Sequence, residues 1–167
     1  VRIELQGRPI ALVSRDLALH AVRSRYLFLD GESSVILARA AAGEGAILSE
    51  VLANSLHLMT GSRLTVMTPS GEKSITVLGI FFDYATDGGK LVIDRSLYQQ
   101  WWNDESVTLF PIYAASGADL EQVRLAILET LAQETQGLMS PTVLTNADLR
   151  EEILRIFDRT FTLTYVL

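Results

Sequence analysis

Residues 63–81 constrain this chain more than any other stretch. Leu64 and Val66 alternate with polar neighbours on one arm, Ile75 and Val77 do so on the next, and Pro69-Ser70-Gly71 stands between them. Period-2 alternation gives a strand one apolar face and one wet face, and the short Pro/Gly segment turns the chain back on itself. A two-stranded hairpin is marginal in water, so its apolar face must meet further strands or helices. The fold therefore contains a sheet with a cover.

The remaining segments supply both. Residues 1–5 alternate as a strand, 10–13 form a short apolar run, and 16–25 favour a turn or two of helix. Residues 26–29 read as a further strand ending at Asp30-Gly31, and the Ala-rich stretch 34–42 reads as a helix closed by Gly43. Residues 46–48 are a buried strand, after which Ser49 caps a helix that carries Glu50 in its first turn. Residues 91–93 form another strand, Asp94 or Ser96 starts a helix through Trp102, and 107–114 read as a strand that Pro111 confines to an edge. Asp119 caps a helix with Leu120, Val123, Ile127 and Leu131 on one face, ended by Gly137. Residues 142–144 are strand-like, and Thr145-Asn146-Ala147-Asp148 has the form of a capping box. The last helix then lines up Leu149, Ile153, Ile156, Phe157, Phe161 and Thr164. Strands interleaved with helices predict an α+β fold built on a mixed sheet. One domain is expected over 1–167, with room for a small β-rich insertion around 45–115.

Charge and composition exclude several functions. The 167 residues carry a formal net charge of -6, which opposes general binding to nucleic acid and docking onto anionic lipid. There is no cysteine, hence no disulfide, no thiolate nucleophile and no sulfur-based zinc site. No apolar run reaches the roughly 20 residues that span a bilayer. The chain opens on Val1 rather than Met and stops on Tyr165-Val166-Leu167 with the helical apolar pattern still running. No charge follows Arg159. Both ends read as cuts, the second within a helix heading toward lipid.

Catalytic chemistry is sparse. Ser14, Asp16 and His20 are the right residue types for a triad, but proximity in sequence is no evidence of triad geometry, and no Gly-x-Ser-x-Gly elbow frames a serine. His57, between Leu56 and Leu58, reads as a helix-end residue. Gly43-Glu44-Gly45 and Asp87-Gly88-Gly89-Lys90 lack the spacing of a phosphate cradle and read as turns. Asp83 and Asp87 lack the alternating ligands of a calcium loop. Neither a catalytic residue nor a metal ligand is assigned, and no cofactor is expected. The candidate contact residues are aromatic: Phe81, Phe82 and Tyr84 after the hairpin, and the pair Trp101-Trp102. Adjacent helical residues point about 100° apart, so one tryptophan is expected in the core and the other at an interface.

The order of the motifs carries a resemblance. Residues 46–53 (AILSEVLA) are followed by 60–66 (TGSRLTV), then Pro69-Ser70-Gly71, then 75–84 (ITVLGIFFDY), and the tail 149–161 (LREEILRIFDRTF) comes last. This series resembles the periplasmic core domain of FtsX-like, MacB-type ABC-transporter permeases, and the tail is similar to the helix leading into their second membrane span. The resemblance implies a non-catalytic extracytoplasmic domain of a protein of the bacterial inner (cytoplasmic) membrane, facing the periplasm or the extracellular side, with Phe157, Phe161 and Tyr165 on its membrane-proximal helix. It also implies partners: a cognate ABC ATPase, which uses ATP and is reached through the membrane part, a second permease copy or paralogue, and a periplasmic partner protein. Nucleic acid is not among them. A free-standing periplasmic module binding lipid or peptide is the alternative reading, and an enzyme the least supported.

Overall fold

The computed structural model describes residues 1–83, 88–136, 142–151 and 154–155. The chain divides into two compact units, Val1–Val107 and Thr108–Leu167.

The first unit is organised by strands β1 (Arg2–Leu5), β2 (Arg8–Arg15), β3 (Ala46–Ser49), β4 (Arg63–Thr68), β5 (Gly71–Phe81) and β6 (Lys90–Asp94), with helices α1 (Leu17–Arg23), α2 (Ser33–Ala41), α3 (Glu50–Leu56) and α4 (Arg95–Trp102). The strands form one mixed sheet in the order β1-β2-β6-β3-β5-β4. The last strand in sequence, β6, thus lies near the centre, parallel to β2 and antiparallel to β3. The hairpin of β4 and β5 forms as its alternation predicts, with Leu64 opposite Ile75 and Thr68 opposite Gly71. Because β5 is 11 residues long, its first half pairs with β4 and its second half with β3.

Alternation along the strands sends side chains into two cores. Leu12, Leu48, Leu91 and Ile93 join Leu64, Val66, Ile75 and Val77 on one face, under α3 and α4. Ile47, Val92, Leu78 and Phe81 join Leu17, Leu37 and Ala40 on the other, under α1 and α2. Each of the larger aliphatic side chains, fully buried, contributes about 1.5–3 kcal/mol. The register slips between Ala46 and Ile47, which face Val77 and Gly79, so Leu78 is the extra residue of a bulge. The bulge puts Leu78 and Gly79 on the same face. A Cβ on Gly79 would stand 2.9 Å from the Phe28 ring and 3.0 Å from Ile36, so glycine is what lets residue 28 and α2 pack there.

The helix starts follow the sequence. Asp16 accepts from Leu19 N, Ser49 from Leu52 N and Asp94 from Ser96 N, each satisfying an otherwise orphaned amide. Residues 26–29 shrink from the expected strand to a single bridge between Phe28 and Phe81. The Leu29 amide donates to Ile80 O, and the Phe82 amide to Leu27 O.

In the second unit α5 (Leu120–Glu134) is capped by Asp119, which accepts from the amides of Glu121 and Gln122. No residue of α5 is buried. The capping box forms reciprocally: Thr145 N donates to Asp148 Oδ2 at 2.8 Å and Asp148 N to Thr145 Oγ1 at 3.1 Å. Residues 146–151 are helical. The strands expected at 107–114 and 142–144 are absent: both stretches are irregular. A strand exists only with a partner, and neither finds one among the described residues. Gly137, Phe157, Phe161 and Tyr165 lie outside the described residues, as does Tyr84. Among the described residues no helix is long and apolar enough to cross a membrane.

Candidate functional site

Two polar nodes hold the ends of the central strands. Ser49, buried at the end of β3, accepts from the Lys90 amide at 2.8 Å while capping α3. The Lys90 ammonium reaches Asp83 Oδ2 at 2.8 Å, so Lys90 is fixed at both its backbone and its side chain. Asp94, at the end of β6, accepts from Leu17 N at 3.1 Å through one oxygen and from the amide and hydroxyl of Ser96 through the other. It ties the first turn of α1, over one core, to the first turn of α4, over the other.

An aromatic cluster grows on the α1 side. Tyr26 packs 4.6 Å from the Phe81 ring, 5.9 Å from Phe28 and 5.0 Å from His20, centroid to centroid. Arg15 lies 6.0 Å over the Tyr26 ring and 3.3 Å from His20 Nδ1. Burial pushes the Tyr26 phenol up, with Arg15 acting against that shift and Asp83 with it. Burial, and then the Arg15 charge, depress the His20 imidazole below its ordinary value. The cluster therefore favours a neutral histidine beside a permanent cation.

The tryptophans occupy a second corner. Tyr98 is buried and stacks on Trp102 at 5.2 Å with the rings 13° from parallel. Trp101 sits 6.3 Å from Trp102, and its carbonyl accepts from Ser70 Oγ at 2.8 Å, joining the hairpin turn to α4. Neither tryptophan divides as expected: both are half-buried against the α3/α4 core. At the end of a short edge helix, two side chains 100° apart can both lean on the core rim. The Tyr98 hydroxyl donates to Asp104 Oδ2 at 2.7 Å. Burial and that bond raise the phenol, while bonds from Ser106 and Tyr98 hold the Asp104 carboxyl low.

The second unit carries an open cleft of about 520 Å³, with Val143, Leu144 and Leu149 as its apolar part and Arg124, Asp148 and Arg155 among its charges. Arg124 is paired with Glu121 and Arg155 with Glu151.

The structure separates the remaining candidates. Phe81 is core, and Phe82 is half-buried beyond the strand end. Ser14, Asp16 and His20 form no triad: the Ser14 hydroxyl is buried without a hydrogen-bond partner among the described residues, Asp16 caps α1, and the His20 nitrogen faces Arg15. His57 adopts the left-handed conformation that ends α3. Among the described residues no cluster of His, Asp or Glu is placed to hold a metal ion. The Tyr98–Trp102 spacing of four was visible in the sequence as a helical pair. Nothing local pointed to Tyr26 or Arg15, which meet only through the tertiary fold.

No protein-family model matches the chain, and no solved structure matches it. It is 32% identical over 162 residues, 96% of its length, to an uncharacterized ABC transporter permease protein of Mycobacterium tuberculosis. The match occupies 18% of that protein, so the chain spans less than a fifth of its relative. Over nearly its whole length the chain is thus related to a segment of an ABC transporter permease.

Proposed function

We propose that this chain is an extracytoplasmic, non-catalytic part of an ABC-transporter permease of the FtsX-like, MacB-type kind, which passes ATP-driven membrane motion to a substrate or partner outside the cytoplasm. The observation that carries the reading is the match across 96% of the chain to a protein named as an ABC transporter permease; the FtsX-like, MacB-type kind is inferred from the order of the sequence motifs alone. The α+β architecture supports it, since a sheet clamped on both faces moves as a body and transmits displacement. In this reading a cognate ATPase, reached through the membrane part, supplies the energy, a second permease copy or paralogue completes the transporter, and a partner protein is engaged on the periplasmic side. The aromatic corner of Trp101 and Trp102, together with Phe82, offers contact area at low entropic cost.

Topology tests this reading directly. The chain has no cysteine, and Met59 is 72% exposed, so Met59→Cys gives a reporter in the full-length permease freed of other cysteines. A membrane-impermeant maleimide is expected to label it in cells whose inner membrane is intact. Labelling only after that membrane is opened would place the domain on the cytoplasmic side and end the proposal.

A further inference from the structure

Arg15, the last residue of β2, is a half-buried cation with no carboxylate paired to it among the described residues. Its Nη1 meets His20 Nδ1 at 3.3 Å, and its guanidinium stands 6.0 Å over the Tyr26 ring. The two acids beside it in chain and sheet are committed elsewhere. Asp94, its partner in the β2–β6 register, accepts from Leu17 and Ser96, and Asp16 accepts from the Leu19 amide. A cation withdrawn from water is ordinarily balanced by an anion.

The guanidinium is also held in place. Arginine carries only donors, so the His20 nitrogen that faces it accepts, and the neutral ring keeps its proton on Nε2. Burial, and then the Arg15 charge, favour that neutral ring. With Nη1 spent on the histidine, Nε and Nη2 remain as a side-on pair of donors, the geometry that meets the two oxygens of a carboxylate. An arginine fixed before its ligand arrives loses less entropy on binding.

Charge and surroundings select the ligand. From Arg15 to Arg25 three arginines stand against one acid, Asp16, in a chain whose net charge is -6. Asp83, paired with Lys90, acts on the Tyr26 side of the cluster, so a singly charged group fits and a dianion such as phosphate is opposed. Leu19, next to His20, is 44% exposed, and Leu27, next to Tyr26, is 68% exposed. They offer apolar contact to the neighbours of an incoming acidic side chain. We propose that Arg15, positioned by His20 and Tyr26, is a recognition site for the carboxylate of an Asp or Glu side chain on a polypeptide partner with apolar flanks.

Two blocked peptides and two small anions, added to the 167-residue chain, test this. Binding is read by NMR from the His20 ring signals and the amides of residues 15–27. Acetyl-Leu-Glu-Leu-amide is expected to shift these signals, and acetyl-Leu-Gln-Leu-amide to bind about tenfold more weakly, the loss of one charge-assisted pair. Arg15→Gln is expected to weaken the Glu peptide by a similar factor. Arg15→Lys, which keeps the charge and loses the fork, should fall between. Acetate is expected to displace the Glu peptide while binding more weakly than it does. Equal binding of the two peptides, or of neither, overturns the inference, as does full affinity in Arg15→Gln. Acetate binding as tightly as the Glu peptide assigns the site to a small acid, and phosphate competing better than acetate assigns it to phosphate esters, lipid headgroups included; either overturns it. If Arg15→Gln misfolds, the two peptides compared on the unsubstituted chain decide alone. Membrane sidedness does not enter, so the outcome is independent of the labelling of Met59→Cys.

Discussion

The Asp94 carboxylate accepts a hydrogen bond from the backbone N–H of Leu17, 77 residues away in sequence, at 3.1 Å. Leu17 is buried in the α1/α2 core, and Asp94 starts the helix over the opposite core. One side chain thus serves the first turns of two helices on opposite faces of the sheet.

Removing that acceptor leaves α4 without its cap and the buried Leu17 amide, in the first turn of the Asp16-capped α1, without its acceptor. Asp94→Ala is expected to destabilise the protein by about 2–3 kcal/mol, the sum of a lost cap and an unsatisfied buried donor. Asp94→Asn keeps one oxygen and is expected to lose about half as much, since a single acceptor cannot serve both helices fully. Urea unfolding followed by circular dichroism measures both, and equal losses for the two variants would contradict the double role.

Gly79 admits the Phe28 ring where a Cβ would collide with it. Gly79→Ala is expected to cost about 1–3 kcal/mol as an overpacked core position. Combined with Phe28→Leu, the loss should fall short of the sum of the two single losses by about 0.5 kcal/mol or more, because the neighbours share one space. A double-mutant cycle on unfolding free energies checks this.

His20 gives the fold a pH dependence of defined sign. Its folded pKa lies below the ordinary value of 6.5, chiefly through burial and then through Arg15. Between the folded and unfolded pKa values the unfolded chain binds more protons, so stability rises with pH there. The histidine's contribution is fully present above about pH 6.5 and declines as pH falls from there toward the folded pKa. His20→Gln is expected to flatten that part of the profile. A histidine titration by NMR, read beside unfolding midpoints at several pH values, tests both the direction and the residue.

Lys90 and Asp83 close the base of the segment between β5 and β6. Asp83 is 9% exposed at its side chain, so removing its cation leaves a largely buried carboxylate. Lys90→Met is expected to cost about 2 kcal/mol, less than a fully buried pair because the lysine is partly solvated. The Asp83→Asn, Lys90→Met double variant should recover part of that loss in the same unfolding assay.

Much of the fold was written locally. The hairpin at 63–81 followed from alternation, and Asp16, Ser49, Asp94 and Asp119 were readable as helix starts because a cap and its amide lie within three residues of each other. The Thr145–Asp148 box was readable for the same reason. The aromatic candidates were legible only as residue types: Trp102 meets Tyr98 one turn away, whereas Phe81 meets Tyr26 across 55 residues.

The sequence by itself determined which residues could be strand, helix or turn, since periodicity and capping act between near neighbours. The tertiary structure alone decided that β6 lies between β2 and β3, that Leu78 bulges, and that Arg15 meets His20 and Tyr26. It also decided that residues 107–114 stay irregular among the described residues while 63–68, with a comparable pattern, do not. A strand's second requirement is a partner for its backbone, which its own pattern does not supply. Residues 63–68 find theirs starting three residues past their own end, at Gly71 across the turn.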